Sequence, residues 1–222
     1  MKEKQKNLVN ILVICLYFLW PYMLNGITSL FNLNENIALY TSFSVNFLFL
    51  FIVILIYRKT FKKYIDKLNN NFKKNLFNSI KIFLIGLAIY ILFNTMYEVI
   101  GIPSLSNHNS MLSMFKKVPI MFILNTLFYY PVIEEIVFKM TLKDIIKNKW
   151  IFVIFTGLFI TFFQVVFSIN NITDLLDILP NIALACSLSY IYYKTDNIVY
   201  PILIRMCYNL IPCIIYIVDL FV

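Results

Sequence analysis

The chain has 222 residues, 61% hydrophobic and 14% charged, with a mean hydropathy of +0.80 and a formal net charge of +8. A soluble domain carries about 45–50% apolar and about 25% charged residues, so this balance excludes one and indicates a polytopic membrane protein. The positive charge does not indicate nucleic acid, because the lysines bracket apolar segments and therefore carry topology information.

A helix needs about 20 mostly apolar residues to cross a bilayer. Seven stretches qualify, at roughly 8–30, 37–57, 79–101, 118–139, 150–169, 176–193 and 198–219. They predict an all-α fold, a transmembrane helix bundle of about seven spans, with residues 1–222 as a single membrane-embedded domain. The first span follows the lysine-rich MKEKQKN; it is too long for a secretory leader and no small-residue cleavage site follows, so it is read as uncleaved. FNLNENI has no basic residue, and segment 58–78 has one arginine and six lysines. Lys139, Lys143, Lys147 and Lys149 follow the fourth span, SINNITDLLD has no basic residue, and YKTDN carries Lys194. The positive-inside rule then gives a multi-pass cell-membrane protein with a cytoplasmic N-terminus. Only Lys116 and Lys117, in an outer loop, run against the alternation. Segment 58–78 interleaves its charges with Phe, Tyr and Leu, as a solvated loop or an amphipathic helix on anionic lipid would. Membrane lipids are thus the first expected partners, and the richness in Ile, Asn, Lys and Phe suits an AT-rich bacterial genome.

Cys15, Cys186, Cys207 and Cys213 lie in apolar segments with no CxxC pair, and read as small buried hydrophobes with free thiols. The one histidine, His108, falls in the outer loop before the fourth span, and there is no HExxH. No metal or other cofactor is expected.

An ionisable residue at the centre of a span costs at least about 2.5–3.5 kcal/mol, so it faces the bundle interior and has a partner. The candidates are Glu98, Glu134, Glu135, Lys139 and Arg205, joined by the uncharged Gln164, Asn181 and Asn209. Glu98 lies near the outer end of the third span and can snorkel, with Asn94 one turn away. Glu134 and Arg205 each lie on the order of 10 Å in from the cytoplasmic ends of the fourth and seventh spans. Asn209 shares the face of Arg205 at i+4, and Lys139 that of Glu135. Thr161, Gln164 and Ser168 share a face of the fifth span. If these three spans meet, the groups form a polar cavity open toward the cytoplasm. Pro131 cannot donate to the carbonyl of Leu127, nor Pro212 to that of Tyr208, which shapes both helices there.

EEIVFK, residues 134–139, resembles the EExxxR first motif of the CAAX protease and bacteriocin-processing (CPBP, or Abi) family of intramembrane glutamate proteases. The stretch LSYIYYKTDNIVYPILIRMCYNL resembles the same family's tail, a helix end with tyrosines, a short turn, an apolar-Pro start and then HxxxN. The resemblance covers residues 118–219. It implies that Glu134 acts as general base with Glu135 beside it, and that Lys139 stands for the motif arginine. The histidine of the family's FxxxH motif falls at Gln164, within ITFFQ, with Ile160 in place of the Phe. The histidine of the third motif falls at Arg205, and Asn209 keeps the asparagine.

Both motif histidines are therefore replaced. Glutamine can hydrogen-bond a water but cannot take its proton. A permanently charged guanidinium can stabilise an oxyanion, yet it also competes with water for the carboxylate. Three readings follow. The chain is a degenerate family member that works by binding, in bacteriocin self-immunity or in regulating a membrane partner. Alternatively, it is an active intramembrane endopeptidase that cuts a peptide or lipoprotein precursor near the cytoplasmic face. The third reading is an unrelated small transporter, against which stands the lack of an internal repeat.

Overall fold

The structure is a computed structural model that describes residues 3–68, 71–101, 108–166, 175–176 and 178–221. Helices dominate, and no strand occurs among the described residues. In chain order they are α1 (Glu3–Leu30), α2 (Glu35–Asp66), α3 (Phe72–Ile100), α4 (His108–Lys117), α5 (Pro119–Ile145), α6 (Lys149–Val166), α7 (Ile178–Thr195) and α8 (Val199–Phe221). Five of these, α1, α2, α3, α5 and α8, are long and apolar enough to cross a membrane. The chain is a multi-pass membrane protein.

A helix stands at each of the seven predicted spans, with two differences. The fifth and sixth are 18-residue helices, α6 and α7, outside the five long ones; α6 is apolar but short, and Asn181, Ser187, Ser189 and Lys194 dilute α7. The basic segment after the second span is largely helix, because α2 runs on through RKTFKKYID to Asp66 and α3 starts at Phe72. Nothing in RKTFKKYID breaks a helix: it has no Gly or Pro, and its long straight side chains lose little freedom in one. His108 opens the helix α4, although its side chain lies outside the described residues, as do Ser168 and most of SINNITDLLD.

The described residues form two compact units. The first takes residues up to 63, 107–137 and 205 onward; the second takes 64–106 and 138–204. In the first, Asn34 caps α2 by accepting from the Ile37 amide at 2.9 Å, and α1 and α2 return as an antiparallel hairpin. Trp20 stacks on Phe49 at 4.5 Å and Tyr57 donates to Asn10 at 2.8 Å, so the residue pairs keep one register along the hairpin. Phe43, Phe115, Val118, Phe122 and Tyr216 form an apolar cluster where α2, α4, α5 and α8 meet. Lys117 pairs with Glu35 in the first turn of α2, which offsets one of the two lysines that ran against the charge alternation.

In the second unit α7 packs against α6 and α3. Small residues allow the close approach: a Cβ on Gly86 would sit 2.7 Å from Ser187 Cβ, and one on Gly157 would collide with Cys186 Sγ. Thr156 donates to Ser189 across the same contact at 2.8 Å. Among the cysteines only Cys213 is buried; Cys15 and Cys207 are exposed and Cys186 is half-buried. The buried setting expected for all four thus holds in full only for Cys213; Cys15 and Cys207 lie on the outer faces of α1 and α8. Asn94 bonds the Tyr90 carbonyl of its own helix at 2.9 Å, and Glu98 is exposed.

Candidate functional site

Helix α5 carries the carboxylate pair and is the most buried of the five long helices, with half of its most apolar window inside. From Ile133 to Leu142 every residue is buried, so the glutamates do not meet lipid. The helix runs six residues past the predicted end at 139, which leaves Glu134 further from its terminus than predicted. Two π turns flank Glu134, at Asn125–Tyr129 and Glu135–Met140. Such turns commonly mark functional positions in helices.

The first π turn has a derivable cause and consequence. The Tyr130 amide donates to the Asn125 carbonyl, five residues back. The next bond in that pattern would run from residue 131 to the Thr126 carbonyl, but residue 131 is a proline with no N–H. The carbonyl that Pro131 deprives is therefore Thr126's, not Leu127's as a regular α-helix would give. Asn209 supplies the missing donor: its Nδ2 bonds the Thr126 carbonyl at 2.8 Å. Asn209 thereby ties α8 to the irregular turn of α5 just ahead of the glutamates.

One turn before Asn209, Arg205 reaches the pair. Its guanidinium NH2 pairs with Glu134 Oε2, and its NH1 lies 3.4 Å from Glu135 Oε1. The Arg205 side chain is 14% exposed, against 8% for Glu134 and 0% for Glu135. A planar guanidinium offers donors in a fork, so one arginine can serve two neighbouring carboxylates that an imidazole could not span. Tyr17 of α1, Tyr129 and Tyr130 lie within electrostatic reach of Glu134, and Tyr17 also of Arg205.

A polar relay supports this arrangement from the other side of the turn. Trp20 Nε1 donates to Asn46 Oδ1, Asn46 Nδ2 to Asn125 Oδ1, and Asn125 Nδ2 to the Met121 carbonyl, at 3.1, 3.1 and 3.0 Å. Next to it is a cavity of about 310 Å³ whose lining includes Thr126, Tyr130, Asn209, Phe122, Met114 and Tyr216. It lies toward the start of α5 and the end of α8, and neither glutamate lines it.

Glu134, Glu135, Arg205 and Asn209 are thus brought together in one unit. Lys139 and Gln164 belong to the other. Lys139 is fully buried at the end of the second π turn, within electrostatic reach of Cys186. Gln164 is exposed near the end of α6, three residues beyond the buried Thr161, which bonds the Gly157 carbonyl of its own helix at 2.9 Å. Sequence reasoning passed over Tyr17, Asn46 and Asn125. The asparagines had a usable signal, since each is a lone amide inside an apolar span. Tyr17 had none among fifteen tyrosines.

Residues 116–211 match the family model of the type II CAAX prenyl endopeptidase, Rce1-like. This stretch contains all six candidate residues and agrees with the resemblance carried by EEIVFK and the tail. Over residues 116–211 the chain is similar to the CAAX-protease (CPBP) family. The chain has no match among curated proteins or among solved structures. The match favours the two family-based readings over the transporter reading, which supposed no relation to this family. Among the described residues, no cluster of His, Cys, Asp or Glu could hold a metal ion.

Proposed function

We propose that this CAAX-protease-like membrane protein works by binding a peptide, lipoprotein or membrane-protein partner, and not by hydrolysing it. The observation that carries this is the Arg205–Glu134 pair. A Glu134-activated water needs a free edge of that carboxylate, and the guanidinium holds one oxygen of Glu134 while its other arm extends to Glu135. Arginine keeps its charge at any working pH, so it does not leave by losing a proton. Asn209, the motif residue kept unchanged, has its amide committed to the Thr126 carbonyl, a holding role that a non-catalytic member also needs. Bacteriocin self-immunity and regulation of a membrane partner both suit such a protein, in a bacterial cell membrane with the N-terminus and the basic end of α2 on the cytoplasmic side.

A second reading has its own support. Both glutamates and the asparagine of the family motifs are retained within the matched segment. An active intramembrane glutamate protease would use Glu134 as base, Gln164 to orient water, Arg205 and Asn209 to stabilise the oxyanion, and Glu135 and Lys139 to support them. Purified protein in liposomes with lipidated and unlipidated peptides separates the two. The binding reading predicts no product from wild type, and release by an Arg205→His, Gln164→His variant that restores both motif histidines. Product from wild type that Glu134→Gln abolishes overturns it.

A further inference from the structure

We propose that the cavity between the start of α1 and the basic end of α2 is a binding site for one anionic phospholipid. The cavity measures about 600 Å³ and is lined by Lys6, Asn10, Leu55, Ile56, Arg58 and Lys59 among others. Its position follows from the sequence of α2. The apolar run ends at Tyr57, and two cations follow at once, so this level is the boundary between hydrocarbon and water. Lys6 brings a third cation from α1 to the same place.

The walls divide by chemistry. Leu55 and Ile56, 47% and 46% exposed, continue into the lipid-facing surface and suit an acyl chain. The three cations stand where the headgroup phosphate of that lipid would lie, and Arg58 can engage phosphate oxygens through two N–H groups. The floor is firm, because Tyr57 and Asn10 are both buried and joined by a 2.8 Å hydrogen bond. Basic pockets between membrane helices bind acidic headgroups in this manner. A zwitterionic lipid would bring its own cation against these three, and a free phosphate would leave the apolar wall unused. The site uses neither glutamate, so it stands whichever way the question of catalysis falls.

The test reconstitutes the full chain in nanodiscs of phosphatidylcholine with a minority of phosphatidylglycerol, and measures the lipid retained on extraction into mild detergent. Phosphatidylglycerol should be retained preferentially, and the preference should fall roughly fivefold for each charge removed in Arg58→Gln and Lys59→Gln. A Lys62→Gln, Lys63→Gln pair, on the same helix outside the cavity, should leave the preference nearly intact. Equal retention of the two lipids overturns the proposal, as does an equal fall in both double variants, which would mean bulk charge alone. Displacement of the lipid by inorganic phosphate would also overturn it, as an anion site without a lipid.

Discussion

Arg205 decides the character of the site because its partners have so little water to fall back on. Removing one member of a buried pair typically costs about 3–5 kcal/mol, whereas replacing both by apolar groups of similar size can cost little. Glu134→Ala should therefore lower the melting temperature of the purified protein sharply, and Arg205→Met together with Glu134→Gln and Glu135→Gln, which removes all three charges, should recover most of the loss. Equal losses from the single and triple changes would mean that the charges are not coupled. The same logic reads Asn209 through Pro131. Asn209→Ala leaves the Thr126 carbonyl without its amide donor and should cost about 1–3 kcal/mol. Pro131→Ala restores an N–H within reach of that carbonyl. In a Pro131→Ala background the cost of Asn209→Ala should shrink, which a double-mutant cycle measures. The fourfold spacing of Arg205 and Asn209 was legible from their shared helix face. The recipient of the Asn209 bond was not, because it depends on a π turn whose only trace in the sequence is one proline.

Among the elements, α7 is packed by subtraction, since its neighbours offer glycine where it offers Ser187 and Cys186. An added methyl at Gly86 would meet Ser187 Cβ at 2.7 Å, Ser187 Oγ at 2.8 Å and the Ala183 carbonyl at 3.0 Å. Rotating the serine relieves only the hydroxyl contact. Gly86→Ala should thus destabilise by about 1–3 kcal/mol despite its better helix propensity, and a rise in melting temperature would contradict this packing. Helix existence was readable from apolar length alone. The length of α2 was not, because a charged continuation looks like a loop to any hydropathy measure although its residues are good helix formers. The irregularity of α5 was hidden for a related reason. A π turn changes backbone bonding without changing which residues are apolar.

For the molecule as a whole, the turn between α7 and α8 offers a pH dependence outside the membrane spans. Asp196, at φ 48° in the left-handed region, receives Lys143 Nζ at 2.6 Å and Lys67 Nζ at 3.0 Å. Burial alone would raise this carboxyl, but the hydrogen bonds and charges of the two lysines outweigh it and hold it below the usual carboxylate range. A carboxyl depressed in the folded state stabilises at pH above its unfolded value and loses that contribution as pH falls through the folded one. Asp196→Asn should flatten the acid limb of the stability profile by under about 1 kcal/mol, since the carboxylate is largely exposed and screened. The multi-pass fold and the likeness of the C-terminal half to the CAAX-protease family were both legible, the first from composition and the second from EEIVFK and the tail. Whether the retained carboxylates still hydrolyse peptides turns on the Arg205 contact, which spacing alone could only allow. The most direct measurement compares the peptides in membrane and medium, by mass spectrometry, from cells with wild-type protein, with Glu134→Gln and with none. Thermal stability of the purified variant confirms that it folds. A protein that works by binding predicts the same peptides in all three. A peptide made only with wild type, beside a folded variant, would contradict it.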